Sequence, residues 1–67
     1  MNIDLSERLV VSPQEAAVAL GLSRARVYQL LNDGTLPSIY IGRARRIRVE
    51  HLTGLLDRLE GEQNPDE

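Results

Sequence analysis

The chain has 67 residues with no Cys, a single His and a formal net charge of −2 at pH 7. A chain of this length forms one small domain with a modest core and no room for a catalytic cleft between two lobes. Without Cys, and with His51 alone and no carboxylates at ligand spacing around it, we expect no enzyme, no metal site, no cofactor and no small-molecule substrate.

The first residues are polar and acidic, where a secretory signal would need an apolar run. No later segment approaches the length of a membrane-spanning helix. We therefore expect residues 1–8 to be a flexible N-terminus, and the protein to be cytoplasmic and to have no contact with a membrane.

A first helix is predicted to begin at Ser12-Pro13-Gln14-Glu15, after an apolar lead-in at residues 9–11. Ser is a favoured cap, Pro suits the first helical position, and Glu three residues after the cap completes a capping box. The helix continues to Leu20, and Gly21 supplies the positive φ that ends it. Leu22 is then expected to return to the core.

A second helix is predicted from Arg24 to about Asn32, with Ser23 as its cap. Its buried stripe at helical spacing consists of Val27, Leu30 and Leu31. Two short helices joined by Gly21-Leu22 form a helix-turn-helix unit. The alternative is an ordinary helical hairpin inside some other small domain.

The face of the second helix opposite this stripe is the predicted DNA-binding surface. It comprises Ser23, Arg24, Ala25, Arg26, Tyr28, Gln29 and Asn32. A Gln suits a bidentate pair with adenine, and either Arg suits guanine. Ser23 and nearby amides suit a phosphate at the helix N-terminus. Tyr28 either bonds a phosphate through its hydroxyl or is partly buried against the hairpin that follows.

Residues 38–41 and 46–49 alternate apolar with polar side chains, which predicts a short β-hairpin with residues 42–45 at its tip. The apolar face should pack onto the helices; it comprises Ile39, Ile41, Ile47 and Val49. The tip should carry the predicted DNA-binding residues Arg43, Arg45 and Arg46. The alternative is an exposed hairpin loop that charge keeps soluble.

From about Glu50 a third helix is predicted, whose apolar stripe should close the core; it comprises Leu52, Leu55, Leu56 and Leu59. Residues 61–67 lack apolar side chains and are predicted to be an acidic disordered tail. The folded domain should therefore span residues 9–60.

Positive charge is concentrated in the middle of the chain. Six of the eight Arg lie between Arg24 and Arg48 with Asp33 as the one acid among them, a net charge of +5 in an acidic protein. Such a field is what a polyanion such as the DNA backbone requires, and it coincides with the second helix and the hairpin.

The chain resembles the excisionase family of small DNA-binding proteins, which is related to the winged-helix heads of mercury-resistance-type regulators. The matching residues run from Leu9 to about Leu59 and include Glu15-Ala16-Ala17, Leu20-Gly21-Leu22-Ser23-Arg24, Val27-Tyr28, Leu30-Leu31, Gly34, Leu36-Pro37, Gly42-Arg43, Arg46-Ile47, Leu52 and Leu56. The resemblance implies an α+β fold, a small winged helix-turn-helix of two short helices, a β-hairpin wing and a C-terminal helix. It also implies that the second helix enters the major groove, that the wing reaches the minor groove or backbone, and that there is no catalytic activity.

This resemblance leads to the hypothesis of a phage or mobile-element excisionase, a recombination directionality factor in site-specific DNA recombination. Its expected partners are double-stranded DNA, an integrase of the tyrosine or serine recombinase class, and further copies of itself in cooperative head-to-tail assembly on DNA. It would act at the nucleoid of a bacterial host. The alternatives are a small transcriptional repressor or plasmid regulator of the same fold, and an Arg-rich protein-interaction module.

Overall fold

A computed structural model of the chain describes residues 8–63 as three helices and three short strands. In chain order these are β1 (Val10–Val11), α1 (Pro13–Leu20), α2 (Arg24–Asn32), β2 (Ile39–Ile41), β3 (Ala44–Arg48) and α3 (Val49–Gln63). The predicted flexible N-terminus, apart from its last residue, and the last four residues of the predicted tail lie outside the described residues.

Helix α1 begins with the predicted capping box. Ser12 Oγ accepts the N–H of Glu15 at 3.1 Å, and Glu15 Oε1 accepts the N–H of Ser12 at 2.9 Å. Arg8 donates to the same carboxylate oxygen at 2.9 Å. The Ser12 N–H is the largest cause of a lowered pKa at Glu15, and the bond and charge from Arg8 lower it further.

The corner between α1 and α2 is built by Gly21, whose φ of 72° lies in the left-handed region that glycine adopts without strain. The N–H of Leu22 closes the helix by donating to the Ala17 carbonyl at 2.9 Å. Ser23 then caps α2 by accepting the N–H of Arg26 at 3.1 Å. Ala16 and Ala17 are buried, so their small side chains let α2 approach closely.

The three strands form an antiparallel sheet in the order β1-β3-β2. The lead-in to α1 is itself a strand, which the sequence analysis did not predict: Val11 pairs with Ile47, and both are fully buried. The pair Ile41 and Ala44 closes the hairpin, so its turn is Gly42-Arg43 alone. A helix-turn-helix followed by this hairpin confirms the predicted α+β winged helix-turn-helix.

The predicted packing of the hairpin was wrong in part. Ile39 and Ile41 are 46% and 58% exposed. In the observed register Tyr40 faces Arg45, and strand alternation then puts both on the face of the buried Ile47. The two isoleucines therefore lie on the outer face of the sheet. The predicted four-residue tip would have given the same faces, because any turn with an even number of residues pairs odd-numbered residues of β2 with even-numbered residues of β3. The prediction followed the alternation within each strand and did not apply this pairing between the strands.

The core lies between the sheet and the helices. Its buried side chains are Val11, Ala16, Ala17, Val27, Leu30, Leu31, Leu36, Ile47, Leu52 and Leu55, with Leu20 and Val49 packed against them. Val49 is the first residue of α3 rather than the last of a strand. It still lies against the core as predicted.

Only half of the leucine stripe on α3 closes the core. Leu52 and Leu55 are buried, whereas Leu56 is 51% and Leu59 is 37% exposed. The last two line an open groove of about 240 Å³ together with Leu22, which is 40% exposed instead of buried as predicted. The core is too small to cover the full width of the stripe.

Helix α3 extends to Gln63, three residues beyond the predicted domain end at residue 60. Glu62 and Gln63 are good helix formers, and the backbone continues as a helix through Gly61 although Gly has a low helix propensity. In the described part of the chain, no helix is long and apolar enough to cross a membrane.

Candidate nucleic-acid interface

Helix α2 turns its predicted DNA-binding face to solvent. Its buried side chains are Val27, Leu30 and Leu31, as the sequence predicts. All seven predicted site residues of this segment are exposed: Ser23, Arg24, Ala25, Arg26, Tyr28, Gln29 and Asn32. Tyr28 is the most covered of the large ones at 36% exposed, which is compatible with either of its two predicted roles.

The N-terminus of α2 offers donors to an anion. The N–H of Arg26 is satisfied by the Ser23 hydroxyl, and that of Val27 by the Ser23 carbonyl at 3.1 Å. The N–H groups of Arg24 and Ala25 come before the first intrahelical bond and point out along the axis. Because the Ser23 oxygen is the acceptor in the cap, its hydroxyl hydrogen can still be donated to a phosphate oxygen.

The two arginines of α2 have different surroundings. Arg26 Nη1 donates to Gln29 Oε1 at 3.0 Å. In residues 8–63, no side chain or carbonyl group hydrogen-bonds or ion-pairs with the Arg24 guanidinium. A cation in the first turn opposes the helix dipole, so an outside anion near Arg24 would relieve an unfavourable arrangement.

The three predicted wing arginines are not all at the tip. Arg43 alone lies in the turn, where it has no partner among residues 8–63, whereas Arg45 and Arg46 are in β3 and half-buried. This corrects the predicted cluster, because a two-residue turn leaves space for only one of them. By strand alternation Arg45 and Arg46 project from opposite faces of the ribbon.

Arg45 is held by two neighbours on its own face. Its Nε donates to Ser38 Oγ at 2.9 Å, and its guanidinium carbon lies 5.6 Å from the centroid of the Tyr40 ring. The second contact is within the range of a cation–π interaction. Arg46 Nη1 donates to the Arg45 carbonyl at 2.8 Å. Both guanidinium groups are thereby oriented before any ligand arrives.

Tyr40 lies beside the predicted wing arginines but is not among the predicted site residues. It is 65% exposed on the wing and stacks against Arg45, so its hydroxyl and ring are accessible to a nucleic acid backbone. The signal was present in the sequence, since a Gly at the first position of a two-residue turn is a known hairpin pattern that aligns Tyr40 with Arg45.

In the part of the chain that the structure describes, no acidic side chain forms an ion pair with the arginines of α2 or with Arg43, Arg45 or Arg46. Within residues 8–63, the ion pairs at 4.0 Å or less join Arg8 to Glu15 and Arg48 to Glu50. Asp33 is instead occupied by Thr35, whose hydrogen bonds are the main cause of its lowered pKa; the charge of Arg26 lowers it further. In the same residues, no three His, Asp or Glu side chains are grouped as metal ligands would be.

An exposed helix after a glycine corner, followed by an arginine-bearing ribbon, defines a winged helix-turn-helix DNA-binding domain. A family of helix-turn-helix domains matches residues 10–59, and the chain belongs to this family. It is a family of DNA-binding domains rather than a class of enzymes.

A protein from Saccharopolyspora erythraea named "Probable excisionase" is 37% identical to the chain over 60 residues. This alignment covers 90% of the chain and 61% of the relative, so the chain spans about three-fifths of the relative's length. The predicted resemblance to excisionases is thus confirmed. No solved structure shows a significant match to the chain.

Proposed function

We propose that this protein is an excisionase that binds specific sites in attachment-site DNA and bends or organises them, so that an integrase excises a phage or mobile element. The observation that carries the proposal is a pair of arginines, Arg24 on α2 and Arg43 on the wing, that have no partner among residues 8–63. They lie in a winged helix-turn-helix similar to a protein named as a probable excisionase. The protein itself would catalyse nothing. It would act at the nucleoid in a bacterial cytoplasm.

On this proposal the α2 face lies in a major groove and the wing follows the neighbouring minor groove or backbone. Arg43 would contact the DNA from the tip of the wing. Arg45 and Arg46 project from opposite faces of the wing, which suits contact with the two DNA strands that border a minor groove. Tyr40, stacked on Arg45, adds a hydroxyl for a phosphate. All of these contacts position the protein, while base edges would be contacted from α2.

One small module makes few base contacts, so specificity would require several copies on adjacent sites. We propose that copies assemble head to tail, with the acidic end of α3, including Asp57 and Glu62, next to the wing of the following copy. Removing residues 61–67 should reduce the cooperativity of binding to multi-site DNA. Unchanged cooperativity would count against a role for those residues.

A reconstituted excision reaction tests the proposed function. It combines attachment-site DNA, the integrase encoded beside the gene and this protein, and measures excised product. Wild type should increase the yield, and Arg43→Ala should reduce the increase, whereas Arg8→Ala should not, because Arg8 is paired with Glu15. Binding without any effect on excision would contradict the proposal.

The second candidate function is that of a transcriptional repressor or plasmid regulator. Such a protein would bind specific DNA through the same face of α2 and the same wing. A protein that binds an operator, lowers transcription and leaves excision unchanged would favour it. The third, an Arg-rich module for an acidic protein partner, predicts no binding to duplex DNA at all.

A further inference from the structure

The hydrogen bond between Arg26 and Gln29 restricts which base α2 can recognise. Both side chains are exposed and three residues apart, with Arg26 Nη1 3.0 Å from Gln29 Oε1. A guanidinium has donors only, so the amide atom that faces it must be the oxygen. This contact therefore determines which way the Gln29 amide is turned.

The oriented amide is poorly suited to adenine. A Gln recognises adenine by accepting a hydrogen bond from N6 with its oxygen while its NH₂ group donates to N7. Here the oxygen already accepts from a cation, and the adenine amino group would have to approach beside that cation. The pair instead presents donors: the NH₂ group of Gln29 and the remaining N–H groups of Arg26.

We infer that Arg26 and Gln29 act as one unit that recognises guanine in the major groove. Guanine offers two acceptors there, N7 and O6, and no donor, which complements the N–H donors that the pair presents, above all those of Arg26. The inference rests on the proposed DNA-binding function and specifies which base this part of α2 recognises. It replaces the expectation that Gln29 recognises adenine independently of the arginines.

Within this unit Gln29 is the positioning residue and Arg26 the principal donor. Arg26 lies at the edge of the exposed face, where it also lines the groove of Leu20, Leu22 and Leu30. In the described structure no ion pair joins it to Asp33. The Gln29 amide is therefore the side chain that holds the guanidinium toward the outward face of α2.

Selection of bound sequences from a randomised duplex library tests the inference. Wild type should select guanine at one position. Arg26→Ala and Gln29→Ala should each reduce the preference for guanine about tenfold, equivalent to about 1.4 kcal/mol. The double variant should lose no more than either single one, because both changes remove the same unit. Gln29→Glu should keep the preference, since a carboxylate still accepts from Arg26.

The matched control is Arg24→Ala, which removes a cation of the same helix that has no partner in residues 8–63. The loss of binding free energy that Arg24→Ala causes should add to the loss that Gln29→Ala causes. All the substituted residues are exposed, so unfolding midpoints close to wild type should accompany these measurements.

Selection of adenine at a position that depends on Gln29 would overturn the inference, as would additive losses in the double variant. Either result leaves the proposed function intact, since duplex binding is still observed. If wild type binds no duplex even at low salt, the proposed function fails, and this inference fails with it.

Discussion

At the scale of single residues, the account depends on which charged groups are already satisfied within the protein. Arg8 and Arg48 are paired with carboxylates, whereas Arg24 and Arg43 have no partner in the described residues. Position along the chain does not separate these two groups, because Arg48 belongs to the same Arg-rich segment as Arg43. The contacts separate them, and they give each Arg a different expected effect when it is replaced.

Arg24→Ala and Arg43→Ala should each weaken binding to all duplexes and reduce the salt dependence of affinity by about one unit of log–log slope. Each removes one cation that would displace a counterion from a phosphate. Fluorescence anisotropy with a labelled duplex at several salt concentrations measures this. Arg8→Ala is the control, and an equal effect of Arg8→Ala would show that net charge, rather than position, determines binding.

The lowered pKa of Glu15 makes part of the stability depend on pH. Because its pKa in the folded protein lies below the ordinary 4.5, the stabilisation is complete above that value and is lost as pH falls through the folded pKa. Glu15→Gln should therefore lower the unfolding midpoint at about pH 7, and the difference from wild type should narrow as the pH falls below 4.5 and through the folded pKa. A difference that does not change with pH would show that the carboxylate charge is not involved.

At the scale of elements, local chemistry made some parts predictable and others not. The capping box at Ser12, the glycine corner and the Ser23 cap are interactions among residues close in sequence, and the helix-turn-helix was predicted correctly from them. Strand β1 has two residues, too few to show a periodicity, and its partner is distant in sequence. The faces of the hairpin depend on whether the turn has an even or an odd number of residues, which the alternation within each strand does not show.

The leucine stripe of α3 shows that periodicity predicts an element but not the burial of each side chain. The helical spacing of the leucines predicted a helix, but it did not show which of them the core would cover. Leu52→Ala should cost about 2–5 kcal/mol of unfolding free energy, because it leaves a cavity in the core. Leu56→Ala should cost less than about 1 kcal/mol, because this side chain is half exposed. Chemical denaturation of both variants compares the two costs directly. Equal costs would mean that the exposed half of the stripe is covered in solution.

At the scale of the whole molecule, the net charge of −2 conceals a strong separation of charge. Its existence could be predicted from the sequence, and so could the exposed face of α2. The hydrogen bond from Arg26 to Gln29 and the contact of the Arg45 guanidinium with the Tyr40 ring could not, because they depend on side-chain rotamers. The prediction that the arginines of α2 and the wing bind one duplex is a claim about the molecule as a whole.

Duplex affinity as a function of salt concentration tests that claim most directly. Neutralising about four to six phosphates predicts that log affinity falls with log salt with a slope near about −4 to −5. A slope near zero, or no binding to duplex DNA at low salt, would contradict it.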